Sequence, residues 1–264
     1  MSAQTHSSTP RALDRRTLEH DHRRLAAVLR PGMSVLDAGC GTGAITVGIA
    51  RAVGSRGRVV GLDRDSALLA IARARFGQVP GLSFEHGDVL AMPAEPRFDV
   101  VTAARALQWI DQPGIALGRM KAAAKPGGLV MVLDYSHARL EWEPAPGAAV
   151  RRFYDAFLTW RAANRWDNLL ADHLPELFAA NGLAGIVTHV EDEFAQRGDP
   201  GFDAALDIWG AVIDTVGPAI VAAGFLTESE RAGAREAHAR WCRDDAVRQR
   251  MVLRAVEGRP GPGA

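Results

Sequence analysis

Val35-Leu36-Asp37-Ala38-Gly39-Cys40-Gly41-Thr42-Gly43 is the stretch that decides the fold of this chain. It reads as a short buried strand, a glycine turn and then an apolar helix from about Ala44 to Val53. Glycines at 39, 41 and 43 strip side chains from the turn, so the backbone can approach a ligand closely and take positive φ. The first amides of the helix then face that ligand. In an α/β sheet, such a turn at the carboxyl end of a strand is a standard place for a nucleotide-like molecule. The spacing is G-x-G-x-G and not the G-x-G-x-x-G of dinucleotide sites, and the chain has no G-x-x-x-x-G-K-[ST] phosphate loop.

Working outward, Arg58-Val59-Val60-Gly61-Leu62 is the next expected strand and ends at Asp63, twenty residues after Gly43. An acid there can accept hydrogen bonds from both ribose hydroxyls of an adenosine, or serve as an N-terminal acid of the helix expected over Asp65 to Arg75. Asp65 suits the capping role, which leaves Asp63 for the ligand. A third strand, Leu82 to His86, runs into Gly87-Asp88-Val89, where Asp88 is either a ligand contact or a turn residue. Phe98 to Ala103 reads as the fourth strand, with Ala104-Arg105-Ala106-Leu107-Gln108-Trp109 beyond it. Lys125-Pro126-Gly127-Gly128 makes a tight turn into Leu129-Val130-Met131-Val132, a run apolar enough to be buried on both faces.

Asp37-x-Gly39-x-Gly41-x-Gly43 and the four motifs after it, in this order over about residues 25 to 135, resemble the class I S-adenosylmethionine-dependent methyltransferases. The resemblance is to their small-molecule, ubiquinone/menaquinone-methyltransferase-like type. It implies a doubly wound, seven-stranded, mostly parallel Rossmann-like α/β sheet with an antiparallel last strand and a helical cap. It also implies S-adenosylmethionine as cofactor, held by Asp37, Gly39, Gly41, Gly43, Asp63, Arg64, Asp88, Val89 and Ala104. In such a site Asp88 accepts from the adenine amino group and the Val89 amide donates to a ring nitrogen. The end of the fourth strand, here Ala104, offers a carbonyl to the methionine amino group.

Composition limits the alternatives. Lys plus Arg and Asp plus Glu are each 31, so there is no basic surplus of the kind a nucleic-acid binder carries. Two cysteines, Cys40 and Cys242, offer neither a disulfide framework nor metal-ligand spacing, which fits a reducing, cytoplasmic setting. No run of eighteen or more apolar residues is present, and Met1 to Pro10 lacks the apolar stretch of a secretory signal. These features argue against nucleic acid and membrane as partners. The resemblance implies a small-molecule substrate, and the sequence allows a homodimer without fixing the number of subunits.

The remaining segments outline the domains. Residues 1–10 and 257–264 read as disordered tails, and 11–137 with 184–256 as the methyltransferase-like core. Residues 138–183 read as an inserted helical cap, to which the helices of 202–243 are left as a further contribution. Arg11 to Arg30 reads as one or two helices, either a surface helix pair or, as the resemblance implies, a cover over the cofactor. Glu141 to Gly147, with Pro144 and Pro146, reads as a linker, and Ala148 to Ala163 as a helix rich in Phe153, Tyr154, Phe157 and Trp160. A second helix from about Asn168 to Asn181 is expected to break or bend near Pro175. Ile186 to Phe194 and Val247 to Val256 read as the last two strands.

Methyl transfer from a sulfonium is an in-line displacement whose main demand is near-attack geometry, helped by a base when the nucleophile carries a proton. His137 and His173 are the candidate bases, each with a plain alternative as a loop or helix-end histidine. Trp109, Tyr135 and Tyr154 are the candidate substrate contacts, and Trp160 a further wall. The stripe Phe153, Phe157 and Trp160 is at helical spacing and fits core packing. Arg105 is either a contact for the methionine carboxylate or a solvated helix residue. The expected reaction is methyl transfer to nitrogen, oxygen or carbon of a small molecule, in secondary metabolism or on a quinone. The absence of an Asn/Asp-Pro-Pro-Tyr sequence after the fourth strand counts against adenine or glutamine N-methylation. A protein that binds the cofactor without transferring methyl (a cyclase or regulator) is a second reading, and a nicotinamide oxidoreductase a third.

Overall fold

The computed structural model describes residues 15–261. The expected tail at 1–10, the first residues of the leading helical segment (11–14) and the last three residues lie outside the described residues. Two short helices come first, α1 (Leu18–Asp21) and α2 (Arg23–Val28), followed by β1 (Ser34–Ala38), α3 (Ala44–Val53), β2 (Arg58–Asp63), α4 (Ser66–Phe76) and β3 (Leu82–His86). Then follow β4 (Phe98–Ala104), α5 (Pro113–Ala123), β5 (Ala124–Tyr135), β6 (Glu141–Glu143), α6 (Ala148–Ala163), α7 (Leu170–Ala180), β7 (Leu183–Val190) and β8 (Glu193–Gln196). The chain finishes with α8 (Phe202–Thr215), α9 (Gly217–Ala222), α10 (Glu228–Asp244), β9 (Arg248–Met251) and β10 (Leu253–Pro260).

These elements form two compact units. One holds the described residues up to Tyr135, Leu170–Glu191 and the chain from Leu253; the other holds Ser136–Leu169 and Asp192–Val252. The first unit is built on a seven-stranded sheet of order β3-β2-β1-β4-β5-β10-β7. Its β1 to β5 pairs are all parallel, while β10 runs antiparallel to both β5 and β7. This is the expected doubly wound sheet with an antiparallel last strand. Between β1 and β4 the strand order reverses, which leaves a crevice at the carboxyl ends of those strands.

The period-two pattern of the strands explains both layers. Val35, Val59, Val100 and Met131 pack with Leu18 and Leu25 of the leading helices, Ile49 of α3 and Leu69 of α4. Their neighbours Leu36, Val60, Val101 and Val132 face the other way, onto Leu117 and Met120 of α5 and Leu174 and Phe178 of α7. Adjacent residues thus serve opposite faces, so a one-residue slip would put every side chain on the wrong layer. The Lys125-Pro126-Gly127-Gly128 turn is looped out of the β4–β5 ladder, where pairing jumps from Phe98↔Ala124 to Val100↔Leu129. Gly127 takes φ of 74°, which this turn requires.

The second unit packs α6, α8, α9 and α10 together with a three-stranded sheet of order β6-β9-β8. Its interior is aromatic. Tyr154 lies 4.9 Å from Trp209 and 5.0 Å from Trp142, both edge-on, and Phe157 lies 5.5 Å from Trp209. Edge-to-face contacts of this kind contribute about 0.5–1.5 kcal/mol each beyond burial.

Several sequence expectations are corrected here. Glu141–Glu143, expected as linker, is strand β6, because its backbone finds β9 as a partner. The single strands expected over 186–194 and 247–256 each divide: β7 and β10 belong to the large sheet, whereas β8 and β9 belong to the small one. Pro175 does not break α7, and its neighbours Leu174 and Phe178 are fully buried. That helix, expected in the cap, packs on β7, β10 and β5 of the large sheet. Residues 257–260, expected as tail, complete β10, with Val256 and Glu257 paired to both neighbouring strands. The run Phe202–Ala222 is 21 residues with mean hydropathy 1.5, long and apolar enough by length and composition to cross a membrane. It divides into α8 and α9, whose buried residues Leu206, Trp209, Ile213 and Ile220 pack inside the second unit.

Phe178 is 0% exposed and fills the space over Gly258. Phe178→Ala is expected to lower stability by about 3–5 kcal/mol, the usual cost of emptying a buried phenylalanine site. Urea denaturation of the two proteins checks this, and an unchanged midpoint would show that α7 is not part of the sheet core.

Candidate functional site

The crevice at the β1/β4 switch is built from three strand ends. The β1 turn holds Gly39, Gly41 and Gly43 at φ of 80°, 54° and 76°, all in the left-handed region. A Cβ on Gly39 would stand 2.4 Å from the Ala106 Cβ, and one on Gly43 would stand 2.8 Å from the Phe84 ring. These two glycines are therefore dictated by the chain's own packing as well as by backbone conformation. The turn is anchored to the end of β2: the amides of Gly39 and Cys40 both donate to the Leu62 carbonyl, at 2.7 and 3.1 Å.

Asp63 locks that anchorage. One carboxylate oxygen accepts from the Gly41 amide at 2.7 Å and the other from the Asp65 amide at 2.8 Å. Asp65 in turn caps α4 by accepting from the Ala67 and Leu68 amides. The expected capping role of Asp65 holds, but Asp63 is not left free, because it joins the glycine turn to the start of α4. Each Asp63 oxygen keeps a second lone pair. Burial pushes the Asp63 carboxyl above its ordinary range, against the pull of the Asp65 and Gly41 amides.

Asp37, at the foot of the turn, is 3% exposed and accepts from the Thr46 hydroxyl at 2.7 Å. Burial raises its carboxyl to about 6, partly opposed by the Thr46 bond and reinforced by the charge of Asp63. Thr42, inside the glycine turn, is 1% exposed and its hydroxyl has no hydrogen-bond partner among the described residues. A buried polar group without a partner is rare and costly. Burial also pushes the Cys40 thiol well above its ordinary value, so it is a poor nucleophile.

The other expected cofactor residues line the neighbouring strand ends. Arg64 has an exposed side chain and a carbonyl that meets the His86 ring at 3.1 Å. Asp88 is exposed and accepts from the Leu90 amide at 2.9 Å, capping the single turn Val89–Ala91. Val89 is half-buried, and Ala104 closes β4 opposite Leu133. Thus Asp37, Gly39, Gly41, Gly43, Asp63, Arg64, Asp88, Val89 and Ala104 all stand on the carboxyl ends of the parallel strands of one unit.

Beyond β4 the sequence reading missed a buried polar network. Arg105 is not a solvated residue. It is 5% exposed, takes φ of 57°, and donates to the Tyr135 hydroxyl at 2.8 Å and the Asp21 carbonyl at 2.9 Å. Asp134 is 0% exposed and accepts from the Gln108 amide at 3.1 Å, while the Gln108 side chain returns to the Arg105 carbonyl. His22 is wholly buried against the Thr102 hydroxyl at 3.1 Å, and burial with the nearby Arg105 charge lowers it to about 3. Polar residues at strand ends were the available signal for Asp134 and Thr102; nothing in the chain pattern marked His22.

The expected substrate and base residues divide between the units. Trp109 ends the turn Leu107–Trp109 and is half-buried, and Tyr135 ends β5, both in the sheet unit. His173 is exposed on α7 in the same unit. His137 and Tyr154 lie in the aromatic interior of the second unit, where the Tyr154 hydroxyl donates to the His137 carbonyl. The His137 ring meets Phe157 and Trp209 edge-on at 5.4 and 6.2 Å. Burial, with the charge of Arg161, holds His137 well below its ordinary value and so neutral, and burial raises the Tyr154 phenol. The two candidate histidines do not share a unit.

A family profile described as "Methyltransferase domain" matches residues 29–174. The chain belongs to that methyltransferase family. Among curated relatives, a 2-phytyl-1,4-naphtoquinone methyltransferase of Thermosynechococcus vestitus is 43% identical over 110 residues, 41% of this chain and 49% of the relative. The chain spans about half the length of the curated relatives it matches. Among solved structures, a Haemonchus contortus phosphoethanolamine N-methyltransferase crystallised with phosphomonomethylethanolamine and S-adenosylhomocysteine is similar with TM-score 0.57. It is 17% identical and the match covers 90% of this chain and 51% of that one. The 4+2 cyclase SpnF is similar with TM-score 0.55 at 21% identity, covering 95% of this chain and 85% of that one. At these identities the likeness is one of fold.

The buried Asp37 carboxyl carries a pH signature. Its folded value is raised, from 3.8 to about 6, so folding favours the protonated form. The contribution is fully present below about pH 4 and is lost as pH rises through about 6, a total of about 3 kcal/mol at most. Asp37→Asn is therefore expected to raise stability at pH 8 by about 1–3 kcal/mol and to leave it nearly unchanged at pH 4. Urea titrations at the two pH values check this; equal effects at both would remove Asp37 as the titrating group.

Proposed function

We propose that this chain binds S-adenosylmethionine across the carboxyl ends of β1, β2 and β3 and transfers its methyl group to a small-molecule acceptor. The observation that carries the reading is the Asp63 carboxylate, held in place by the Gly41 and Asp65 amides with lone pairs left for two ribose hydroxyls. The residues present fit an adenosine-bearing donor. Three of the five turn residues are glycines, the buried Thr42 hydroxyl lacks a partner among the described residues, and Asp88 stands one strand further on.

In this reading Asp63 takes the ribose, Asp88 and the Val89 amide take the adenine edge, and the Ala104 carbonyl takes the methionine amino group. Asp37 and Thr46 hold the foot of the glycine turn, and Arg64 is a solvated flank. When bound, the donor supplies an activated sulfonium methyl; the chain's own task is to hold that methyl in line with the acceptor and keep water out. Trp109 and Tyr135 stand at the strand ends and are the substrate contacts of this unit. His173, exposed on α7, is the candidate base of this unit.

The acceptor class favoured by the sequence relatives is an aromatic, quinone-like small molecule, since one of them is named for a naphthoquinone. Methylation at nitrogen or oxygen of another small metabolite stays within the same geometry. The setting in this reading is the cytoplasm, with the chain as a homodimer. The 4+2 cyclase of similar fold keeps alive a second reading, a cofactor-binding protein without methyl transfer.

Two measurements separate these readings. Calorimetric titration with S-adenosylhomocysteine and with NAD is expected to show binding of the first only; binding of NAD alone overturns the proposal. Incubation with methyl-labelled donor and a panel of hydroquinones, phenols and amines is expected to give labelled product, and binding without product favours the cyclase-like reading. Asp63→Ala is expected to weaken S-adenosylhomocysteine by about 1–3 kcal/mol, the cost of losing a charged hydrogen-bond acceptor. An unchanged Kd in the folded variant would remove Asp63 from the site.

A further inference from the structure

Arg105 is one of two residues other than glycine with positive φ among the described residues, and it directly follows the last residue of β4. A branched-out, charged side chain in the left-handed region is strained, and a glycine there would be free of that strain. The chain nevertheless carries arginine, so the side chain must do something that a glycine cannot. Its guanidinium is buried and bridges two separate elements, with Nε donating to the Tyr135 hydroxyl at the tip of β5 and a terminal nitrogen donating to the Asp21 carbonyl of α1. The Asp21 carboxylate lies 4.0 Å from the same guanidinium and itself accepts from the Thr17 amide that begins α1.

The strained backbone is held on both sides. The Arg105 amide donates to the Leu133 carbonyl at 2.7 Å, and its own carbonyl accepts from the Gln108 side chain at 3.1 Å. That conformation brings Ala106 against Gly39, where the glycine turn leaves room for it. A continuous path of contacts thus runs from α1 through the Arg105 side chain to the β4 tip and the glycine turn. Thr102, three residues earlier on β4, is tied to the buried His22 at the junction of α1 and α2, so the same helices are fastened at a second point.

We infer that Arg105 is a positioning residue that couples docking of the leading helices to the shape of the donor cradle. Docked α1 fixes the guanidinium, the guanidinium fixes Tyr135 and the strained β4 tip, and the β4 tip fixes the glycine turn through Ala106. By linkage, whatever docking of the helices adds to donor affinity, donor binding returns to docking of the helices by the same factor. The inference rests on the donor site proposed above.

The test is Arg105→Gly, with Tyr135→Phe as a second, milder variant, each read by calorimetry with S-adenosylhomocysteine and by amide hydrogen exchange at Leu18–Val28. In the wild type, S-adenosylhomocysteine should slow exchange across Leu18–Val28. In Arg105→Gly, relief of strain offsets the lost hydrogen bonds, so the melting temperature without ligand should move by only a few degrees. Its Kd should nevertheless rise tenfold or more, and ligand should no longer slow exchange at the helices. Tyr135→Phe removes a single hydroxyl and should show a smaller rise in Kd with the same loss of helix response, which settles the matter if Arg105→Gly folds poorly. Wild-type affinity and wild-type helix response in either folded variant overturn the coupling. Failure of the wild type to bind S-adenosylhomocysteine overturns the donor site itself, a result distinct from failure of the variants to differ.

Discussion

Gly39 has no side chain because Ala106 stands where its Cβ would be, and much of the site follows from that contact. It lies where the strand order turns from β1 outward to β2 and back to β4, so two loops that diverge in sequence meet in space. Crevices at such reversals arise from topology, since successive helices leave toward opposite faces and cannot fill the gap between them. Here the gap is bounded by backbone together with the Ala106 methyl and the Asp63 carboxylate. Leu62 receives the amides of the glycine turn and Asp63 receives that of Gly41, so three strand ends form one rigid edge. A ligand cradle made in this way needs little rearrangement on binding, which is where much affinity is otherwise lost.

How much of this was legible in the sequence depended on whether the determining forces were local. Ala44–Val53, Leu82–His86 and Ala148–Ala163 were read to the residue, because glycine stops, apolar runs and helical periodicity all lie within a few positions of their ends. Strands with partners far along the chain were misread. Nothing near Glu141–Glu143 announces a strand, since its pairing with Arg248–Arg250 depends on residues over a hundred positions away. The division of 247–256 between two sheets is invisible to periodicity, because Val252 interrupts the ladder without any glycine or proline to mark it.

The site divides along the same line. Gly39, Gly41, Gly43, Asp63 and Asp88 stood out through spacing, and all are found on the strand ends. The network of His22, Thr102, Arg105, Gln108, Asp134 and Tyr135 did not, because buried polar groups are recognised by their partners, and the partners come from four separate elements. The aromatic residues of α6 were ambiguous between pocket and core by composition alone. Ring contacts of Tyr154 and Phe157 with Trp209 place them in the interior of the second unit. Asp37 shows the opposite tension, since burial of a carboxylate opposes stability at neutral pH, and the chain keeps it at the foot of the turn.

The position of β10 has a consequence for dissecting the molecule. The final strand is inserted between β5 and β7 and is antiparallel to both, so the sheet is completed only by the last stretch of chain. A fragment ending soon after α7 would keep the glycine turn with Asp37, Asp63, Asp65 and Asp88. It would nevertheless leave the apolar Leu129–Leu133 segment of β5 as a bare border. Unpaired hydrophobic borders invite association with other chains. For this architecture, shortening from the carboxyl side trades a completed sheet for intermolecular strand pairing, and it also strips Tyr135 of Leu253, its neighbour across the β5–β10 ladder.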